Sequence, residues 1–308
     1  MACDLWCGYM KTKLKSTILL FLTAIIWGFA FVAQRVGAEF VGAFTFNGVR
    51  FMLGAASLIP VIMLFEKEKI DKKILKYNLI PGILAGVVLF IASTLQQYGV
   101  ELTQSAGKAG FLTGLYTVLV PLIRFAMGKK TGFLTFVGAI FAVTGLFFLC
   151  MTGDEFSFGL GDVVLIIGAF FWAGHILVVD KYVNTTSPLK FSLVQFLVCG
   201  FLSLICAFAF EDIQLSAIKS AGVPILYGGL MSVGVAYTCQ ILGQKESDPT
   251  FASIVFSTES VFSAIGGALL LNEIMSGRGY LGCVLIFIGI VLSQLNGEKI
   301  VKKPKNQM

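Results

Sequence analysis

Charged residues are scarce in this sequence, and histidine is nearly absent. Charged residues make up 13% of the 308 positions, whereas an average soluble chain has about 25%. The single His, His175, and the scattered acidic residues cannot form a standard metal site, so we expect no metal and no other cofactor. Hydrophobic residues, 57% of the chain, fall into long runs that a soluble core could not absorb.

Signature motifs of enzymes are also missing. The sequence has no GxxxxGK[ST] loop, which argues against direct driving by ATP. No elbow motif surrounds a Ser, so a Ser-His-acid triad would have to be assembled from separate membrane helices. The net charge of +6 comes mainly from Lys in short loops and at the chain ends. We therefore expect neither an enzyme nor a nucleic-acid-binding protein.

What the sequence does have is a series of long apolar runs. A helix of about 20 apolar residues spans the roughly 30 Å hydrocarbon layer of a bilayer. Stretches such as "GAIFAVTGLFFLC" lack the strict alternation of a membrane β-strand. The sequence thus predicts an all-α integral membrane protein with ten transmembrane helices, at roughly 17–34, 43–65, 77–97, 107–127, 132–151, 160–179, 189–210, 222–243, 250–271 and 279–296.

Basic residues are unevenly divided between the two sides of such a chain. Seventeen Lys fall in loops or tails on one side, and the other side has only Arg35, Lys108, Lys219 and Arg278. The remaining two, Arg50 and Arg124, lie within segments. Because cytoplasmic loops carry the excess of Lys and Arg, we expect both termini to be cytoplasmic in a multi-pass protein of the cell membrane.

The second half of the chain repeats the first. At an offset of 145 residues, "FTFNGVRFMLGA" (44–55) lies on "LKFSLVQFLVCG" (189–200), which pairs Arg50 with Gln195. Other pairs at offsets of 143 to 145 are Trp27 with Trp172, Gly86 with Gly229, Gln97 with Gln240, Gly138 with Gly282, and Gly145 with Gly289. Five segments per half is an odd number, so the second half enters the membrane from the opposite side. Inverted repeats of this kind are typical of secondary transporters.

The repeat divides the chain into four parts. We expect a cytoplasmic N-terminal tail at 1–15, a first five-helix repeat at 16–151, a second at 152–297 and a basic cytoplasmic tail at 298–308. From Met10, "MKTKLKSTILLFL" has the basic flank and apolar run of a natural start. We therefore expect residues 1–9 to be an upstream extension.

Several stretches resemble one transporter family in their order along the chain. They include "AIIWGFAFVAQRVG", "AGKAGFLTGLYTVLVPLI", "DPTFASIVFSTESVFSAIGGALLLNE" and "GCVLIFIGIVLSQL". Over roughly residues 14–297 the sequence resembles the EamA-like family of the drug/metabolite transporter superfamily. The resemblance implies a cavity lined mainly by helices one, three, four, six, eight and nine. It also implies alternating-access movement, often export, of small metabolites, amino acids or drugs.

The sequence departs from the family pattern in two places. Family members often have Pro after the acidic residue of helix nine, whereas Ser260 follows Glu259 here. A kink at that point is therefore not predicted. The first half has "GKK" (128–130) where relatives often end helix four with an acidic residue, so no acidic role is expected in that loop.

Glu259 is the candidate proton-coupling residue. It lies near mid-depth of segment nine, where an ionisable side chain is costly and is by default a functional hypothesis. A carboxyl group that binds and releases a proton would suit coupling to a proton gradient. The alternative is a carboxyl group permanently hydrogen-bonded to helix four or another neighbour.

A second set of residues could contact a small polar or aromatic ligand. Uncharged hydrogen-bonding groups could bind its polar part, and aromatic rings could pack against its apolar part. The alternative for each is ordinary interhelical bonding and packing, which is common in membrane proteins. The predicted substrate-binding residues are Trp27, Gln97, Tyr116, Trp172, His175, Tyr237 and Gln240.

Two residues are predicted to be structural. Arg50 lies within segment two, and its long side chain could snorkel to the outer interface or bond to a neighbouring helix. The resemblance implies that helix two lies outside the main cavity lining, so we expect a structural tie. Pro121 interrupts segment four and is expected to kink it or let it flex.

Together these features predict a secondary transporter driven by a proton gradient or by exchange, most simply an exporter. Its expected partners are a small-molecule substrate and the lipid bilayer, and a homodimer is compatible with the architecture. The alternative is a non-transporting membrane protein, such as a sensor, an assembly partner or a membrane enzyme. The inverted repeat favours transport, because a static scaffold has no need of two interchangeable halves.

Overall fold

The computed structural model describes residues 2–65, 72–103, 106–129, 132–150, 159–271 and 277–300, and the regular structure in these ranges is helical. Seven helices are long and apolar enough to cross a membrane: Thr12–Gly37, Ala43–Leu64, Asn78–Thr103, Leu160–Tyr182, Pro188–Phe210, Gly222–Gln244 and Pro249–Leu271. Three shorter apolar helices are Leu112–Ala126, Phe133–Phe148 and Gly277–Leu292. An all-α multi-pass architecture is confirmed, and the count of ten spans stays a prediction.

The helices follow one another with short connections. In the first half they are α1 Ala2–Gly37, α2 Ala43–Phe65, α3 Lys72–Thr103, α4 Ala106–Gly114, α5 Tyr116–Ala126 and α6 Phe133–Cys150. The second half has α7 Leu160–Tyr182, α8 Pro188–Phe210, α9 Leu215–Ser220, α10 Gly222–Leu226, a π-helix at Tyr227–Ala236, α11 Tyr237–Gln244, α12 Pro249–Phe256, α13 Glu259–Leu271 and α14 Gly277–Ile300.

Acidic side chains cap two helices at their N-termini. Asp248 precedes α12 and accepts a bond from the Thr250 amide at 2.9 Å, while Pro249 occupies the first helical position. Glu211, just after α8, accepts bonds from the Phe44 and Thr45 amides of α2 at 2.8 Å each. These carboxylates satisfy amides that would otherwise lack partners at the helix ends.

Two of the predicted segments are broken into a pair of helices. The first break lies at Leu115, whose amide bonds to Leu112 O at 3.4 Å and whose carbonyl accepts the Val118 amide at 3.0 Å. The second lies at Ser257–Thr258, where Thr258 makes the same pair of short-range bonds with Val255 and Val261, at 3.1 and 2.9 Å. These bonds span three residues, so each break is a tight 3₁₀-type turn.

The position of the first break differs from the one predicted. Pro121 lies inside the continuous helix α5 and is buried there, so the interruption comes at Leu115 instead. The second half also has a break immediately before Glu259, although no Pro adjoins Glu259 to suggest one. Ser257 and Thr258 each donate a hydroxyl bond to the carbonyl three residues earlier, at 2.7 and 2.6 Å. Such bonds compete with the helical ladder and bend helices.

Helix packing brings the two halves of the chain into contact. The pairs α2 with α8, α3 with α7 and α6 with α14 pack along much of their lengths. In addition, α1 packs on α13 and on α11, while α7 packs on α4 and α5. Between α6 and α14 the backbones nearly touch: a Cβ atom on Gly145 would lie 2.5 Å from Gly282 O. A Cβ atom on Gly289 would lie 2.5 Å from Gly138 O.

Candidate functional site

A central cavity lies where the broken helices meet α1, α2, α3, α7 and α11. The space open at its centre is about 30 Å³, enough for one or two water molecules, so a larger ligand would need the surrounding helices to move apart. Its lining residues are Trp27, Ala30, Phe31, Gln34, Arg50, Gln96, Thr113, Tyr116, Trp172, Ile176, Ser232, Tyr237, Gln240, Phe256 and Glu259. Most predicted site residues are among them, and the exceptions are Gln97, His175 and Pro121.

One side of the cavity is an aromatic wall formed by Trp27, Trp172, Tyr237 and Phe256. The Trp27 ring lies 4.8 Å from the Tyr237 ring, 5.4 Å from Phe256 and 6.3 Å from Trp172, between centroids. Trp27 Nε1 donates to Ser232 O at 3.3 Å, which fixes the indole. Trp172 Nε1 is buried and finds no acceptor in the described part of the chain.

Glu259 is held by a hydrogen bond to Tyr116 across the cavity. It is the first residue of α13 and is 4% exposed, and its Oε1 accepts the Tyr116 hydroxyl at 2.9 Å. Tyr116 is the first residue of α5, so both side chains leave their helices directly after a break. The two residues are 143 apart, the same offset that pairs Gln97 with Gln240.

Arg50 also faces this cavity. The side chain is 2% exposed, so it does not snorkel to the outer surface. Its Nε donates to Asn47 Oδ1 at 2.9 Å, and Asn47 Nδ2 donates to Ser93 O at 3.1 Å. Its Cζ lies 4.9 Å from the centroid of the Phe51 ring and 5.4 Å from that of Phe46. Asn47 of the same helix connects Arg50 to α3, and the guanidinium also lines the cavity, so the structural role of Arg50 stays a prediction.

Amide side chains line the rest of the polar surface. Gln240 is fully buried, and neither atom of its amide has a partner among the described residues. Gln96 Nε2 donates to Gln34 Oε1 at 3.0 Å, and both residues line the cavity. Gln97 instead donates to the backbone carbonyl of Gln34 at 3.2 Å, which ties α3 to α1.

Sequence reasoning missed four polar lining residues, Gln34, Gln96, Thr113 and Ser232. Gln34 follows Trp27 by seven residues and so lies on the same face of α1, which is a signal that could have identified it. Gln96 adjoins the chosen Gln97, and only the rotation of α3 decides which of the two faces the cavity.

His175 lies behind the cavity wall. Its Nε2 bonds to Gln195 Oε1 at 3.0 Å, and its ring meets Trp172 edge-on at 6.1 Å between centroids. The imidazole is fully buried and is not part of the lining. The structure thus places His175 as a link between α7 and α8 that supports Trp172.

The π-helix Tyr227–Ala236 was not predicted. Its wider turn carries Ser232, whose carbonyl accepts the Trp27 bond. Single π-helical turns are often found at functional sites. Metal-binding groups are not a feature of the site, since no set of three His, Cys, Asp or Glu within the described ranges could hold an ion.

The fold and the site together define a multi-pass helical membrane protein with a buried amphipathic cavity. A crystal structure with 18% sequence identity superposes with a TM-score of 0.76, covering 93% of this chain and 99% of the other, which establishes the fold. The sequence model of the EamA-like transporter family matches residues 14–151 and again residues 159–295. The chain therefore belongs to the EamA-like transporter family and is a membrane transporter.

Curated relatives agree with this assignment. An uncharacterised transporter of Archaeoglobus fulgidus is 25% identical over 284 residues, which covers 92% of this chain and 87% of the relative. The uncharacterised transporter YoaV of Bacillus subtilis is 24% identical, with 87% and 93% coverage. A protein of Escherichia coli named a probable amino-acid metabolite efflux pump is 25% identical, with 94% and 98% coverage.

Proposed function

We propose that this protein is a secondary transporter that exports a small metabolite, amino acid or drug-like compound across the cytoplasmic membrane by alternating access. The observation that carries the proposal is the pairing of Tyr116 with Glu259 at the central cavity. These residues follow the two helix breaks and come from opposite halves of the chain. A substrate bound between them would contact both halves at once.

The packing of the helices supports an inverted repeat of two five-helix halves. Under the offset of 143 to 145 residues, the contacts of α1 with α12 and α13 correspond to those of α7 with α4 and α5. The close approach of Gly145 to Gly282 is likewise equivalent, under this offset, to that of Gly289 to Gly138. Halves that can exchange conformations give two related states, one open to each side of the membrane.

Two reciprocal hydrogen bonds between the broken helices fit the same exchange. Thr117 Oγ1 donates to Ser253 O at 3.2 Å, and Ser260 Oγ donates to Gly110 O at 3.3 Å. Both the donors and the acceptors are 143 residues apart. We infer that the broken helices α4–α5 and α12–α13 are the elements that exchange roles between the two states.

We further propose that Glu259 couples transport to a proton gradient. Its hydrogen-bond partner is the hydroxyl of Tyr116, it shares the cavity with the aromatic wall, and Arg50 is the other charged residue of the lining. A carboxyl group with a single neutral partner at a cavity can exchange a proton with water that enters. Protonation would remove a charge from the cavity and so ease the change between states.

The test is transport by the purified protein in proteoliposomes. Vesicles are loaded with extracts from cells with and without the protein, and the compounds that leave are identified without preselection. The same assay is repeated with Glu259→Gln under an imposed pH gradient. Gradient-dependent flux of at least one compound with the wild type only is the expected result. Absence of flux for every pool, together with a stoichiometric protein partner in the membrane, would instead favour a non-transporting role.

A further inference from the structure

Arg50 is a buried cation at the cavity, and the residues that the structure describes give it no anionic partner. Among the described residues, its hydrogen bond is to the neutral amide of Asn47, and no carboxylate lies within ion-pair distance. Glu259, the other charged lining residue, is bonded to Tyr116 instead. The site therefore contains a fixed positive charge that none of the described carboxylates neutralises.

Such an arrangement is costly unless something completes it. A guanidinium stays protonated in proteins, and a buried charge without a partner is strongly destabilising. The rings of Phe46 and Phe51 stabilise the cation in part. The bond to Asn47 uses Nε alone, so the edge that carries the two terminal nitrogens has no protein acceptor in the described ranges. A carboxylate is the group that this planar edge binds in a bidentate manner.

The other residues that line the cavity indicate the chemical class of the ligand more closely. Apart from Glu259, the polar residues that share the cavity with Arg50 are neutral, and they include Gln34, Gln96, Gln240 and Thr113. The aromatic wall formed by Trp27, Trp172, Tyr237 and Phe256 faces the same space. Flat apolar surfaces of this type pack against rings or aliphatic chains.

We propose that Arg50 is an anion-binding residue and that the cavity takes a small organic carboxylate with an apolar or aromatic body. The carboxylate bonds to the terminal nitrogens of Arg50, and the body lies on the aromatic wall. Asn47 is a positioning residue, because it links Nε of Arg50 to Ser93 O and so orients the free edge. This inference rests on the proposed function, since it names the substrate class of the same cavity.

Direct binding tests the inference without requiring transport. Two of the three Trp residues, Trp27 and Trp172, belong to the aromatic wall, so their fluorescence reports on the cavity. The Trp6→Phe variant in detergent serves as the background. The probes are 3-phenylpropanoate, 3-phenylpropanamide and 3-phenylpropylamine, which share one body and differ in the charge of the head group. We expect the carboxylate to bind roughly tenfold or more tightly than the amide, because a charge-assisted bidentate contact is lost in the amide.

Phenylalanine is a fourth probe that separates two sources of the carboxylate. Binding of phenylalanine as tight as that of 3-phenylpropanoate would mean that the anionic group belongs to an amino acid. Much weaker binding of phenylalanine would mean that a simple carboxylate is preferred. Either result supports the anion-binding role of Arg50.

Variants connect the preference to the residue. Arg50→Gln should remove the preference for the carboxylate over the amide, and Arg50→Lys should keep part of it without the bidentate geometry. Arg124→Gln is the matched control, because Arg124 pairs with Asp248 at 2.8 Å and does not line the cavity. Gel filtration and thermal melting check that each variant is folded. If Arg50→Gln does not fold, Asn47→Ala should reduce the preference several-fold by releasing the guanidinium.

In the wild type, the inference is overturned by equal binding of the three head groups, by tighter binding of the amine or amide, or by no saturable binding of the carboxylate at millimolar concentration. Retention of the preference in folded Arg50→Gln would do the same. Flux of neutral or cationic compounds without a carboxylate preference would support the proposed transport function and reject this inference. Carboxylate binding without any flux rejects the proposed function alone.

Discussion

In the first half of the chain, the residue that follows the helix break is Tyr116, and at the equivalent position of the second half it is Glu259. The backbone is alike at both places, because each break has the same two backbone hydrogen bonds between residues three apart. The side chains differ, because one is a neutral donor and the other a carboxyl group. Their hydrogen bond joins the two halves at a single point of the cavity.

The equivalent positions Arg50 and Gln195 differ in a similar way. Arg50 has a charge that faces the cavity, whereas Gln195 is fully buried and bonds to His175 behind the wall. By contrast, the glycines of α6 and α14 make the same contacts in both halves. The comparison teaches that packing between the halves is kept in duplicate, while the charged groups of the cavity come from positions where the halves differ.

Glu259→Gln should have the largest effect on transport, because it removes the carboxyl group by which Glu259 differs from its equivalent Tyr116. The amide still accepts a bond from Tyr116 but cannot bind or release a proton. We expect nearly complete loss of flux driven by a pH gradient, a flat dependence of the remaining flux on pH, and retained exchange of substrate in counterflow. The measurement is proteoliposome flux at several external pH values. Glu39→Gln is the control, since Glu39 is exposed and pairs with Arg35. Unchanged pH dependence in Glu259→Gln would exclude the coupling role.

Gly145→Ala and Gly289→Ala test the helix contacts that are the same in both halves, those between α6 and α14. Each added Cβ would lie 2.5 Å from a carbonyl oxygen of the facing helix, so the two helices must separate. We expect each variant to lose about 1–3 kcal/mol of stability, by similar amounts, and the double variant to lose more. Thermal melting in detergent measures this. Gly222→Ala is the control, because a Cβ there meets nothing within 4 Å. Strongly unequal effects would show that the two contacts are not equivalent.

Tyr116→Phe removes the hydroxyl that donates to Glu259 and leaves the Glu259 carboxyl group in place. Single interhelical hydrogen bonds in membrane proteins contribute about 0.6 kcal/mol on average, so the effect on transport should be only a few-fold. The pH dependence should keep its shape, because Glu259 can still exchange a proton. Initial flux rates at saturating substrate measure the change. A loss as severe as that of Glu259→Gln would assign the proton pathway to the pair and not to the carboxyl group alone.

Much of the fold followed from the sequence, because apolar runs and the internal offset depend on composition and order. Glu259 on α13 could be chosen because ionisable groups are rare at such depth. The cavity residues on α1, α5, α7 and α11 could be chosen because hydrogen-bonding and aromatic side chains suit a small ligand. The helix breaks could not be placed, since the first lies at Leu115, without a Gly or Pro at that position, and Pro121 is absorbed within α5. The direction of the Arg50 side chain could not be predicted either, because it depends on how α2 is rotated against its neighbours.

His175→Phe should have the smallest effect on transport and concerns the site behind the wall. The ring shape is kept and the bond to Gln195 is lost, which leaves one buried amide oxygen without its partner. We expect a lower melting temperature, by an amount that corresponds to about 1–3 kcal/mol, and little change in substrate affinity. Melting of the Gln195→Leu variant, alone and combined with His175→Phe, tells whether the two losses come from one bond, because shared losses do not add. A large change in substrate affinity with normal stability would instead place His175 in contact with the ligand. The second half of the chain would then contribute one more polar group to the cavity than the lining residues indicate.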